Sequence, residues 1–419
     1  MTTGLDVTTL RSGAVLVPFA LAAALWLAAP NERIGAALAI LWNSVWLAVV
    51  NAVAVVAGWW AFGTQGLMWA GVPVDVILGW AVLWGAVPVL LMRWVNPVVS
   101  AAVLVVADVL VMDSLTPLVE LNAHWGWGEL LSVTTCLVPG VVLGWATVRR
   151  RHLWLRVSLQ VALFAAILLF VVPALTFALT DTGLSDITGG FAGLTDSILL
   201  QIGLLAVVVA LRAVADFAHH GGSPFPWDPP LRLVTSGPYA FVANPMQIAA
   251  VVLLVLGAVI LGQPGLALAA GVGVIFSAGI AGWYERDQLR GRFGEDWIAY
   301  RRVVKDFMPR WRPYPHRSMA RLYVAVSCDP CSDVGSWLQR RHPTALSIEP
   351  AEAHPENLRR LRYESDSVVL TGTRALAAAL EHISLGWALL GWLMRAPGLA
   401  VFLQLLADAV GAGPRAITR

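Results

Sequence analysis

Charge is scarce in this chain: Asp, Glu, Lys and Arg make up 13% of its 419 residues, about half the usual share of roughly 25%. With 58% hydrophobic residues and a mean hydropathy of +0.72, that scarcity excludes an ordinary soluble protein and makes lipid the main solvent. An excess of one sign is missing too. The formal net charge is +2, with no long basic run interleaved with aromatics, so no nucleic-acid partner is expected. Cysteine appears three times, as Cys136, Cys328 and Cys331. So few exclude a disulfide framework of the secreted kind. His342 and His354 stand too far apart for the usual zinc-ligand spacing, so no metal site is expected.

What is abundant is long apolar runs. A bilayer core needs about 20 apolar residues per helical span. Nine runs approach that length, near residues 12–29, 35–61, 73–92, 95–112, 128–147, 156–179, 193–217, 246–262 and 265–284. The first is not read as a signal peptide, because Asp6 offsets Arg11 where such peptides carry a basic region. The expected fold is therefore an all-α polytopic membrane protein of about nine transmembrane helices, followed by a small α/β domain. Orientation follows from basic loops, which resist translocation. Arg149, Arg150, Arg151 and Arg156 place the loop after the fifth run in the cytoplasm, and Asp181 and Asp186 lie in the outward loop that follows. The N-terminus then lies outside and the C-terminal domain in the cytoplasm, with a bacterial cell membrane as the expected location.

Tryptophan is plentiful at 20 residues. Trp59, Trp60, Trp69, Trp94, Trp125, Trp127, Trp154 and Trp283 lie near span ends and read as an interfacial aromatic belt. Asp108, Glu129, Arg212 and Asp216 lie within or beside spans, where ionisable groups usually face a polar interior. Arg212 and Asp216 are four apart, which suits a mutual ion pair on one helix face or the lining of a head-group cavity.

The stretch that carries chemistry runs from Leu231 to Pro309. It follows a Pro- and Gly-rich loop that cannot be helical. It opens with Leu233-Val-Thr-Ser-Gly-Pro-Tyr239 and Asn244-Pro245, bends at Gln263-Pro-Gly265, and closes with Glu285 and Phe293-Gly-Glu-Asp-Trp-Ile-Ala-Tyr300. The break at Gln263 makes a helical hairpin that brings Tyr239 and Asn244 toward Glu285. Asn244 precedes a membrane helix and can cap it, while free N–H groups there suit an anionic or oxygen-bearing ligand. Taken singly, Tyr239 also suits an interfacial aromatic, Asn244 a plain cap and Glu285 a solvated membrane-edge carboxylate. Their joint spacing sets them apart. His219 and His220 are adjacent and diverge on a helix, which favours an interfacial role.

Over residues 200–312 this spacing resembles the isoprenylcysteine carboxyl methyltransferase and phospholipid methyltransferase family, through Leu233 to Tyr239, Asn244-Pro245, Glu285, Leu289, Phe293-Gly294, Trp297, Tyr300 and the tail Val303 to Pro309. Where the family has an Arg, a Tyr and a second carboxylate, this chain has Ala243, Gln247 and Arg286. The resemblance implies an integral-membrane methyltransferase that takes S-adenosylmethionine from the cytoplasm and a lipophilic, isoprenoid or lipid-like acceptor from the membrane lipids. It implies Asn244 and Glu285 as catalytic-site residues, and Tyr239, Asn244, Glu285, Trp297 and Tyr300 as donor-binding residues. An acceptor hydroxyl would need a base, with His219, His220 and Asp228 as the nearby candidates.

After Arg310 a proline-bearing linker leads to a second region. Leu322 to Val326 reads as a strand, Cys328-Asp-Pro-Cys331 as the turn opening a helix, and Ser367 to Leu370 as a strand before a helix starting near Thr373. A thiol at a helix N-terminus is activated by the local field. Residues 318–415 resemble the DCC family of thiol-disulfide oxidoreductase-like proteins (DUF393), which implies a thioredoxin-like fold with Cys328 and Cys331 as a redox pair; here Ala325-Val326-Ser327 replaces that family's Asp-Gly ahead of the first cysteine. The expected organisation is 1–190, a transmembrane region of unknown role; 191–312, a methyltransferase-like membrane core; and 313–419, a cytoplasmic thioredoxin-like domain. The competing readings are a membrane-anchored thiol-disulfide oxidoreductase using Cys328 and Cys331, and a non-enzymatic lipid-binding or transport protein.

Overall fold

A computed structural model describes residues 6–64, 66–116, 118–180, 194–225, 228–276, 279, 282–366 and 368–414. The outward loop with Asp181 and Asp186 lies outside them, as does Ser367, and the side chains of Trp283, Glu285 and Arg286 are likewise not among those described. The chain divides into two compact units, residues 1–171 and 172–419.

The first unit is a helical membrane bundle. Its helices are α1 (Val7–Ala28), α2 (Arg33–Val56), α3 (Val74–Leu91), α4 (Pro97–Val111), α5 (Trp125–Ser132), α6 (Val138–Val148) and α7 (Leu153–Ala166). A π-helical turn, Val133–Leu137, joins α5 to α6. Three short strands, β1 (Trp60–Phe62), β2 (Met68–Trp69) and β3 (Val72–Pro73), connect α2 to α3, and β4 (Val119–Leu121) pairs antiparallel with β1. Asn96 starts α4 by accepting a 2.9 Å hydrogen bond from the Val98 N–H, with Pro97 at the first helical position. Gly35 of α2 lies so close to α6 that a Cβ there would stand 2.6 Å from the Gly144 carbonyl. Small residues allow this backbone approach where lipid gives helices no hydrophobic drive to associate.

The second unit opens with α8 (Val172–Leu179), α9 (Leu194–His219), α10 (Pro245–Ile260), α11 (Pro264–Phe276) and α12 (Gly282–Val303). α10 and α11 form the expected hairpin, whose turn is closed by the Gln263 N–H donating to the Ala258 carbonyl at 2.8 Å. α12 is broken at Gly294, where φ 53° and ψ −125° lie outside helical space. Only glycine adopts such a conformation cheaply.

The rest of this unit is a four-stranded sheet with helices: β5 (Ala320–Val324), α13 (Asp329–Gln339), β6 (Leu346–Pro350), β7 (Arg362–Glu364), β8 (Val369–Thr371), α14 (Thr373–Leu380), α15 (Leu385–Met394) and α16 (Leu399–Ala407). The strand order is β6-β5-β7-β8. β5 and β6 run parallel with Leu322 opposite Ile348, while β7 is antiparallel to both β5 and β8, with Tyr363 opposite Leu322 and Leu370. Leu322, Val324, Leu338, Tyr363 and Leu380 form the core beneath it.

Among the described residues, seven helices are long and apolar enough to cross a membrane. The eighth and ninth expected spans are helices of 16 and 13 residues, at or below the short end of the range of about 17–25. The expected α/β domain at the C-terminal end needs one addition. Leu385–Met394 and Leu399–Val410 pass as a pair, bent by 91° at the Arg395-Ala-Pro397 break, which is the form of a broken span or a re-entrant loop. The aromatic belt also needs one correction. Trp94, Trp127 and Trp154 are exposed on the bundle, whereas Trp60 is buried and donates to the Asn51 side chain at 3.1 Å.

Candidate functional site

The 231–245 segment, the end of α9, α12 and the tail after it enclose one cavity. Its shape begins at Gly237. Burying Asp216 on α9 places its carboxylate directly against this glycine, leaving no room for a Cβ, and Gly237 takes φ +52°. Asp216 is held by Arg212 at 2.5 Å, the expected pair on one helix face. The pair is part of a larger buried network: Arg212 Nε lies 3.7 Å from Glu381 Oε1, which also receives a 2.8 Å bond from Arg395. Two cations and two carboxylates thus balance one another out of water, and removing one would leave an uncompensated buried charge.

From Gly237 the chain makes a short turn over Pro238 and Tyr239, and the tail after α12 pairs with residues 240–243. The Ala243 N–H donates to the Lys305 carbonyl at 2.9 Å, Arg310 N–H to Phe241 at 3.0 Å, and Tyr314 N–H to Ala240 at 2.8 Å. These bonds hold the two motifs of the central stretch, about sixty residues apart, side by side. Tyr300 adds a side-chain clasp. Its hydroxyl donates to the Tyr239 carbonyl at 2.8 Å, and its ring meets Tyr314 edge-on at 5.4 Å. Tyr239 packs on Phe217 of α9 at 5.8 Å.

Tyr239, Asn244, Trp297 and Tyr300 all line the cavity, with Leu289 and Phe293 from α12 and Ala243 from the turn. Glu285 belongs to α12 by its backbone, and its side chain lies outside the described residues. Asn244 sits at the start of α10, but its side chain does not cap it. Instead its amide donates to Asp306 Oδ1 at 3.0 Å. Asp306 Oδ2 pairs with Arg301 at 2.6 Å, and the Arg301 guanidinium lies 6.0 Å from the Trp297 ring centre. Arg301 and Asp306 line the same cavity and were not singled out from the sequence. Their only signal was position, one residue after Tyr300 and within the tail. Gln247 is not among the lining residues, and its Oε1 is buried without a hydrogen-bond partner among the described residues.

The other proton-handling candidates lie elsewhere. His219 and His220 direct Nδ1 to the Ala215 and Asp216 carbonyls at 2.6 and 2.7 Å, which ties both to α9. Neither they nor Asp228 line the cavity.

The cavity holds a carboxylate, a guanidinium, an amide and aromatic faces within one enclosure, and this set matches in kind a ligand that is zwitterionic at one end and cationic beside it. Its open volume is about 60 Å³. A pocket that encloses a whole organic ligand has roughly 300 Å³ or more, so this space is narrow. The break at Gly294 stands next to the lining residue Phe293.

A second site lies in the sheet region. Cys328 occupies the position before α13 and Cys331 its first turn, and the Cys331 and Ser332 N–H groups donate to the Cys328 carbonyl at 3.0 and 2.9 Å. Both thiols are partly exposed, whereas Cys136 is buried, and none of the three is in a disulfide. The backbone leading to Cys328 is fixed by Glu352. Burial disfavours the charge of this carboxylate, but hydrogen bonds from the Ser327 backbone, the Ser327 hydroxyl and the Val326 backbone outweigh that and pull it down to about 2.

Comparison with known proteins bears on the first site. A family model for phospholipid methyltransferases matches residues 193–296. That segment includes the cavity residues from Phe217 to Phe293, while Trp297, Tyr300, Arg301 and Asp306 lie just beyond its end. The match supports a membrane methyltransferase. No curated protein and no solved structure matches the chain.

Proposed function

We propose that the chain is an integral-membrane, S-adenosylmethionine-dependent methyltransferase that acts on a lipophilic, isoprenoid or lipid-like acceptor drawn from the membrane. The observation that carries this reading is the convergence of Tyr239 and Asn244, inside the segment matched by the methyltransferase family model, with Trp297 and Tyr300, just after it, on one cavity. The donor supplies an electrophilic methyl carbon on a sulfonium, which passes in line to the acceptor while the electron pair of the broken bond stays on sulfur.

The chain's own residues position the reactants and exclude water. Arg301 binds a carboxylate and Asp306 an ammonium group, with Asn244 holding Asp306 in place. The Trp297 face attracts a sulfonium through its ring quadrupole. Tyr239 and Tyr300 line the same cavity, and the family resemblance adds Glu285 as a donor-site residue. Because His219, His220 and Asp228 do not line the cavity, the reading favours an acceptor whose reacting atom is already nucleophilic, such as a carboxylate, thiolate or neutral amine.

The C-terminal region supports a second activity on the same chain. The strand order β6-β5-β7-β8, one parallel pair followed by two antiparallel ones, together with thiols at the start of α13, fits a thioredoxin-like domain carrying a Cys328/Cys331 dithiol. The proposed organisation keeps 1–190, 191–312 and 313–419 as membrane region, methyltransferase core and cytoplasmic domain.

Transfer of radiolabelled methyl from S-adenosylmethionine to lipid extracts by the full chain in nanodiscs tests the main reading. Label must enter an organic-soluble product with wild type and fall at least tenfold with Asn244→Ala. Label-free lipid with an intact fold refutes it.

A further inference from the structure

The first unit contains a second enclosed site. Asp108 of α4 and Glu129 of α5 are each 7% exposed, and both line a cavity of about 30 Å³ walled by the rings of Trp60, Trp80 and Trp84. The two carboxyl groups border the same small space and interact as neighbours. One Asp108 oxygen accepts from Trp80 Nε1 at 3.1 Å. Asp108 Oδ2 and Glu129 Oε1 are buried and receive no N–H or O–H among the described residues.

An independent observation points to a guest. Trp84 lines the same cavity, is 1% exposed, and its indole N–H finds no acceptor among the described residues. A buried N–H without a partner is costly, so the space beside it calls for an acceptor. The neighbouring carboxyl oxygens call for a donor. Water is the small molecule that satisfies both, accepting from Trp84 and donating to the acids, and the volume admits only a few waters. An organic head group is too large.

Charge points the same way. Among the described residues, Asp108 and Glu129 are the only titratable side chains lining the cavity, and no cation lines it. Two carboxylates in contact at membrane depth do not both ionise. We propose that Asp108, Glu129 and a water held by Trp84 form a proton-binding site in the first unit, with one proton shared between the acids at neutral pH. Taking up a second proton brings the pair from one negative charge to none, and losing the first requires another cation to replace it. The site is independent of the methyl-transfer reading.

Infrared spectroscopy of the full chain in nanodiscs tests this directly. At neutral pH the spectrum should contain the C=O stretch of a protonated carboxyl that shifts in D₂O, is absent from the isosteric double variant Asp108→Asn/Glu129→Gln, and moves in frequency with Trp84→Phe. Helix content by circular dichroism, unchanged in each variant, keeps the comparison valid. A wild-type spectrum without a protonated carboxyl at neutral pH overturns the proposal, and needs no variant. A band that survives in the double variant also overturns it, as does one that sodium ions abolish, since a metal cation would then be the ligand.

Discussion

The Tyr300 hydroxyl donates a 2.8 Å hydrogen bond to the Tyr239 carbonyl, closing the two motifs of the central stretch across 61 positions of sequence. Tyr300→Phe deletes this bond while keeping the ring that packs on Tyr314. The expected cost is about 1 kcal/mol, read as a lowered melting temperature in detergent, together with weaker donor binding because Tyr239 lines the same cavity. Unchanged melting and unchanged binding would mean that the clasp contributes nothing.

Gly237→Ala is expected to be worse. A Cβ there runs into the buried Asp216 carboxylate, and φ +52° disfavours any side chain. Moving Asp216 disturbs its partner Arg212 as well. A loss of more than about 2 kcal/mol follows from strain plus a disrupted buried ion pair, measurable as thermal destabilisation that exceeds that of Tyr300→Phe. Melting at the wild-type temperature would contradict the placement of Asp216.

His382 gives a pH prediction. It is fully buried between α14 and α15, its Nδ1 meets the Thr344 carbonyl at 2.7 Å, and its Nε2 meets the Tyr363 hydroxyl at 2.9 Å. Desolvation, aided by the nearby Arg317 charge and opposed by the Thr344 bond, holds its pKa well below 6.5. The imidazole stays neutral in the fold, and only unfolding lets it take a proton near pH 6.5. Its contribution is therefore complete above that pH and declines as pH falls below it. Melting of the C-terminal region should drop on acidification from neutral, and His382→Gln should flatten that drop. An unaltered acid slope in the variant would remove His382 as its cause.

Thiol labelling separates the three cysteines. Cys328 and Cys331 are partly exposed and Cys136 is buried, so a maleimide should modify two thiols per native chain and the third only after denaturation. Mass spectrometry reads the count. Native modification of Cys136, or protection of both others, would contradict the structure.

Much of this was legible in the sequence, and the reasons are specific. Length and apolarity marked the first seven spans because a bilayer imposes one strong rule. The expected runs 246–262 and 265–284 correspond to the shorter apolar helices Pro245–Ile260 and Pro264–Phe276, on either side of the Gln263 turn. β7 offered a single apolar residue, Tyr363, and no alternation to detect. In the site, Tyr239, Asn244, Trp297 and Tyr300 were visible as a joint spacing. Arg301 and Asp306 were not, because charged residues at a membrane edge look solvated until the fold turns them inward. Asn244 shows the same limit: a residue well placed to cap α10 gives its amide to Asp306 instead, a contact 62 positions away.

The most direct test of the account is calorimetric titration of S-adenosylmethionine into the full chain in lipid nanodiscs. The account predicts saturable binding at one site, weakened at least tenfold, about 1.4 kcal/mol, by Asn244→Ala and by Asp306→Asn, with Glu285→Gln also weaker than wild type. Absence of saturable heat with wild type, or wild-type affinity in all three variants, would contradict it.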